Sequence, residues 1–156
     1  RRFREAEPLL DWLQNKNYTA ERMGPAFVAS YGYVEIVGPQ RIFKSPGTLV
    51  GFLLLGPGVH YPDHCHPAEE VYHVVSGNAD WWGESGAWTT RPPGSVIHHP
   101  PMHRHAMRTT TEPLLALYCW RGDVTVAADL TEAQMASRSN SGSKSATAKA
   151  RKKRGA

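Results

Sequence analysis

The chain has 156 residues, 40% of them hydrophobic and 21% charged, with a formal net charge of +4. That is one domain's worth of chain with apolar content for one sizeable core, which argues against a wholly disordered chain and against a multidomain enzyme. The longest apolar run, Leu49–Leu55, is far short of the ~18 residues a membrane helix needs, and two cysteines, Cys65 and Cys119, are too few for a disulfide framework, so a reducing, cytoplasmic setting is expected.

The chain starts at Arg1 without a methionine or an apolar leader, as expected of a piece of a longer protein. Residues 1–30 read as a helical segment from the spacing of Phe3, Leu9, Leu10 and Leu13, with Pro8 in the first turn of a helix running to about Asn15. From Tyr31 the texture changes to short β-branched and aromatic runs: Tyr33–Val37, Thr48–Leu55, Val71–Val75, Ala79–Trp82, Val96–His98 and Leu114–Trp120. Gly- and Pro-rich turns separate them, the pattern of an all-β sandwich or barrel over 31–130. Charge is uneven. Residues 131–156 carry a net +6 and residues 1–130 a net −2, so the basic character belongs to the last segment. That segment, rich in Ser, Ala, Lys and Gly, is expected to be a disordered, solvated tail with neither a nucleic-acid nor a membrane partner.

All eight histidines lie between His60 and His105. Imidazole is the commonest protein metal ligand near neutral pH, and two separated clusters brought together by a β-fold suit a mononuclear site. His64, His66, Glu70 and Tyr72 are all even-numbered, so one strand over about 64–75 puts them on one face. Two imidazoles and a carboxylate facing inward are costly to bury unless they share a partner, and a divalent cation is the simplest one. For any single histidine a hydrogen-bonded core role is the commoner one; the grouping favours the cation.

The run Gly58, five residues, His64-Cys65-His66, three residues, Glu70, six residues, Gly77 resembles the first cupin motif. A looser second motif reads Gly86, five residues, Pro92-Pro93-Gly94. The family places a histidine three residues after that last glycine, and Ile97 stands there, with His98, His99, His103 and His105 following. The residues alone leave the third histidine open. The resemblance implies an all-β fold, a cupin (double-stranded β-helix, jelly-roll) barrel with a metal inside, behind a short helical N-terminal segment.

Tyr61, Glu70-Val71-Tyr72-His73, His105-Ala106-Met107-Arg108-Thr109 and the run from Glu112 to Asp123 further resemble the cupin-type dimethylsulfoniopropionate (DMSP) lyases, over about residues 30–125. That resemblance implies His105 as the last ligand, completing a set of His64, His66, Glu70 and His105, with a tyrosine oxygen replacing one histidine in some members. It implies one divalent transition metal ion (Fe2+, Zn2+ or Mn2+) and a carbon–sulfur lyase reaction, β-elimination of a sulfonium carboxylate to dimethyl sulfide and acrylate. Tyr72, on the face of Glu70, is the expected base, since a nearby cation favours phenolate, and Tyr61 the residue that orients substrate or shares the proton. His60, His73, His98, His99 and His103 are expected to be non-ligands. Trp81, Trp82, Trp88 and Trp120 are expected mainly to pack the core, with an indole face available to a sulfonium. A homodimer is consistent with this family. The competing readings are another cupin enzyme (a dioxygenase or isomerase) and a non-catalytic metal- or ligand-binding cupin; the tyrosine pair speaks against both.

Overall fold

The computed structural model describes residues 2–84 and 86–131; the basic segment expected as a tail lies outside them from residue 132 onward. Helix α1 (Arg2–Ala6) runs into a 3-10 turn at Glu7–Leu9, and two single-turn helices follow, α2 (Ala20–Met23) and α3 (Pro25–Val28). Eleven strands come next: β1 (Tyr31–Gly38), β2 (Phe43–Lys44), β3 (Thr48–Leu55), β4 (His60–Cys65), β5 (Glu69–Ser76), β6 (Ala79–Gly83), β7 (Thr89–Arg91), β8 (Val96–His99), β9 (His105–Thr109), β10 (Leu114–Arg121) and β11 (Asp129–Leu130).

The strands form a six-stranded sheet in the order β2-β1-β3-β10-β5-β8 and a five-stranded sheet in the order β11-β4-β9-β6-β7. Every pairing is antiparallel except the short β1–β2 one. From β3 onward the chain crosses from one sheet to the other at every step except β6 to β7, which is the expected jelly-roll arrangement. Alternation fixes the inner face: along β5, Glu70, Tyr72 and Val74 are buried while Val71, His73 and Val75 are exposed.

The helix expected from Pro8 to Asn15 is absent. Leu10–Tyr18 runs without helix, because the backbone of Leu13 pairs with Tyr33 in both directions, at 2.8 and 2.9 Å, as an extension of β1. A helix of two turns is marginal alone, and pairing to a sheet edge outcompetes it. The segment still belongs to the core. Tyr18 and Phe27 are buried against Tyr31 and Tyr61, with ring centroids 4.8 to 6.0 Å apart.

Candidate metal centre

The single strand expected over 64–75 is two strands in different sheets. β4 ends at Cys65, β5 begins at Glu69, and His66, Pro67 and Ala68 make the corner between them. Pro67 has no N–H to give a ladder, so the strand breaks there. A matching corner, Pro100–Arg104, joins β8 to β9, and the Met102 N–H donates to the His66 carbonyl at 2.8 Å, tying the corners together. His64 is thereby paired across the ladder with His105, and Glu70 with His99. All five side chains, His66 included, are 0 to 3% exposed.

His66, Glu70 and His105 bring ligand atoms within 4.8 Å of one another. Glu70 Oε2 lies 3.0 Å from His66 Nε2 and 3.3 Å from His105 Nε2. Each ring is oriented through its other nitrogen. His66 Nδ1 donates to the Ala68 carbonyl at 2.9 Å, His105 Nδ1 to the His103 carbonyl at 2.8 Å, and His64 Nδ1 to the Pro62 carbonyl at 2.8 Å. A carbonyl only accepts, so in each neutral ring the proton sits on Nδ1 and Nε2 carries a lone pair. Two such lone pairs turned toward one buried carboxylate repel it unless a cation lies among them. His105 Nε2 is buried without a hydrogen-bond partner. The donor set therefore fits a divalent transition ion.

Glu70 is held from its other side by Trp120, whose Nε1–H donates to Oε1 at 2.6 Å and whose ring stacks on His66 at 4.0 Å. Burial alone would push the Glu70 carboxyl up; positive charge at His105 and His66, with both rings protonated, outweighs it and holds the group well below the usual range, and with the rings neutral a cation bound among them takes that part. His64 stands apart from the three-residue set. It packs edge-on against His105 with centroids 4.1 Å apart, and burial, then the charge of His105, hold it well below the ordinary histidine pKa.

Tyr72 is buried beside Glu70, and burial first, then that carboxylate, hold its hydroxyl well above the phenol range; a cation at the ligand set acts in the opposite direction. The Tyr61 hydroxyl donates to that of Tyr18 at 3.0 Å, and burial holds it, too, well above the phenol range. Both tyrosines line a cavity of about 210 Å³, which Glu70 and Trp120 also border. Of the other tryptophans, Trp81 is buried at 4.9 Å from the Tyr72 ring, while Trp82 and Trp88 lie at or near the surface. His60, His73 and His98 are exposed and His103 is intermediate.

His99 differs. It is 3% exposed, stacks on His105 with centroids 4.0 Å apart, and neither ring nitrogen has a partner. Sequence reasoning set it aside because it precedes Pro100-Pro101; its place opposite an inward Glu70 is a matter of pairing register that only the fold supplies.

The second motif is also corrected. Met102, at φ +59°, is the only non-glycine residue with a positive φ among the described residues. Counting from Gly94, five residues lead to Pro100-Pro101-Met102 and His105 follows three later, which is the family spacing with methionine in the last glycine's place.

The family described as dimethylsulfoniopropionate lyase matches residues 1–116. The chain belongs to that family. Among the relatives of this DMSP lyase family member, DMSP lyase DddQ of Ruegeria pomeroyi is 34% identical over 114 residues, 73% of this chain and 57% of the relative. Putative DMSP lyase DddL of Cereibacter sphaeroides is 35% identical over 107 residues, 67% of this chain and 44% of the relative. The chain thus spans about half the length of the curated relatives it matches. The crystal structure of DddQ from Ruegeria pomeroyi DSS-3 superposes with a TM-score of 0.76 at 32% identity, covering 83% of this chain and 64% of that one. A cupin-like protein of Thermotoga maritima, at 19% identity and a TM-score of 0.56 over 67% of this chain and 80% of that one, shares the fold.

Proposed function

We propose that this chain is the catalytic barrel of a metal-dependent carbon–sulfur lyase that converts dimethylsulfoniopropionate to dimethyl sulfide, acrylate and a proton. The observation that carries the reading is Tyr72, two residues beyond Glu70 on the same inward face, opening on the same cavity as the carboxylate of a buried His66–Glu70–His105 set. Its relationship to DddQ supplies the substrate class.

Bound by His66, Glu70 and His105, with His64 beside them, a divalent ion (Fe2+, Zn2+ or Mn2+) would polarise the substrate carboxylate and stabilise charge developing at its α-carbon. The Tyr72 oxygen takes the α-proton. As the Cα–H bond breaks, its electron pair forms the Cα–Cβ double bond and the Cβ–S bond cleaves, so dimethyl sulfide departs neutral and needs no general acid. Tyr61 orients the substrate from the cavity wall. Trp120 fixes Glu70 and offers an aromatic face to the sulfonium. The catalytic unit is the barrel over 31–130, with residues 1–30 sealing one side of the cavity through Asn15 and the Tyr18–Phe27 cluster.

The setting is a reducing cytoplasm, consistent with free Cys65 and Cys119. The outer face of the six-stranded sheet, with Val71, Val75 and Val96 exposed, supports a homodimer. No helix among the described residues is long and apolar enough to cross a membrane.

Replacing Tyr72 with Phe tests the reading. Dimethyl sulfide release should fall to background while metal content per chain stays at the wild-type value. Retained release would remove Tyr72 from the base role.

A further inference from the structure

Two carboxylates line the 210 Å³ cavity, Glu70 and, on β1, Glu35. Glu35 points inward with Tyr31 and Tyr33, and its side chain is 14% exposed. An acid in an aromatic-lined barrel wall is costly unless a positive charge compensates it. Arg41, after β1, makes one ion pair with it and is itself one-third exposed.

The pairing register joins this acid to the proposed base. Glu35 pairs with Gly51 on β3, Gly51 with Tyr118 on β10, and Tyr118 with Tyr72 on β5. One row of residues thus crosses four strands from Tyr72 to Glu35, three strand spacings or about 14 Å of sheet. Gly51 is the close-packed point of that row: a Cβ there would lie 1.7 Å from the Val34 oxygen and 2.9 Å from the Tyr118 hydroxyl, because the phenol of Tyr118 reaches over the glycine to β1 and donates to the Val34 carbonyl at 3.4 Å. The row therefore consists of the proposed base, a phenol that spans the glycine, and an acid, and these three line the one cavity with Tyr33 and Trp120 as further aromatic walls.

We propose that Glu35 faces the positive charge of the substrate and sets the preference of the site for zwitterions over carboxylates of the same shape whose tail is uncharged. The proposal rests on the lyase reading, which supplies a substrate with an anionic end and a sulfonium one carbon beyond the α-carbon. With the carboxylate at the ligand set and the α-carbon at Tyr72, the sulfonium extends along the row toward Tyr118 and Glu35. A sulfonium has no N–H to donate, so it is recognised by field and aromatic contact, and a carboxylate on the cavity wall acts on it without touching it.

The test uses two unreactive probes of one shape, 3-(trimethylammonio)propanoate, with a cationic tail (the cationic probe), and 4,4-dimethylpentanoate, with an uncharged tail (the neutral probe). Their Kd values are measured by calorimetry on the metal-loaded chain, for wild type, Glu35→Gln and Arg41→Gln. The wild type should favour the cationic probe. Glu35→Gln should weaken that probe about tenfold and leave the neutral one unchanged. Arg41→Gln, which keeps the acid and removes its ion pair, should bind the cationic probe at least as tightly as wild type. Equal losses for both probes, or no loss for either, would overturn the role of Glu35. Absence of dimethyl sulfide release by wild type would instead contradict the lyase reading and leave the charge preference standing.

Discussion

Tyr61 and His64 lie ring on ring, with centroids 4.0 Å apart and planes 5° from parallel. Three residues apart on a regular strand, they would face opposite sides of the sheet. A β-bulge brings both inside: Tyr61 pairs with Met107 and His64 with His105, so three steps along β4 match two along β9. Tyr61→Phe keeps the stack and loses the hydrogen bond to Tyr18, which should cost about 1 kcal/mol. Tyr61→Ala removes the ring from the core and should cost about 3–5 kcal/mol. Urea unfolding of the two variants checks the difference.

The tethered imidazoles make a graded prediction for metal content. His66→Ala, Glu70→Ala and His105→Ala each remove a member of the three-residue set and should leave the chain without stoichiometric metal. His64→Ala should retain more. Trp120→Phe keeps the ring over His66 and loses the hydrogen bond to Glu70, which should weaken metal binding roughly 10–100-fold. Elemental analysis after dialysis, with chelator competition for the affinities, separates these outcomes.

Met102 holds a left-handed backbone conformation at 56% exposure, so its side chain buries little there. Met102→Gly should relieve the strain and raise stability by about 1 kcal/mol, after the entropy cost of glycine is deducted. Thermal unfolding reads this as a rise in Tm of a few degrees.

Gly51→Ala should have the opposite sign. The added methyl meets a backbone oxygen at 1.7 Å, which no side-chain rotation relieves, so strands β1 and β3 must separate. A loss of at least about 3 kcal/mol is expected, measured by denaturant midpoint.

Much of this architecture was legible in the sequence, and the exceptions have physical causes. The alternation of His64, His66, Glu70 and Tyr72 announced a shared buried face, although Pro67 divides their strand between two sheets. Parity survived because the corner takes three residues, 66 to 68. Tyr61 joins that face against parity, through a bulge that leaves no sequence signature beyond Pro62. The second motif was misplaced because Met102 occupies a turn where glycine was expected, and Pro92-Pro93-Gly94 offered a more conventional match. β9 lacks the β-branched texture of a strand, and His99 gains its position only from pairing with Glu70. The helix expected to Asn15 failed because the Leu13–Tyr33 bridge is a tertiary contact, invisible to local periodicity.

The central claim is that a cation held by His66, Glu70 and His105 enables elimination from dimethylsulfoniopropionate. The most direct measurement is dimethyl sulfide in the headspace over the full chain and that compound, with the metal loaded, stripped by chelator and restored. Release that disappears on stripping and returns on restoration is the predicted result. Release unchanged by stripping, or none from the loaded chain, would contradict it.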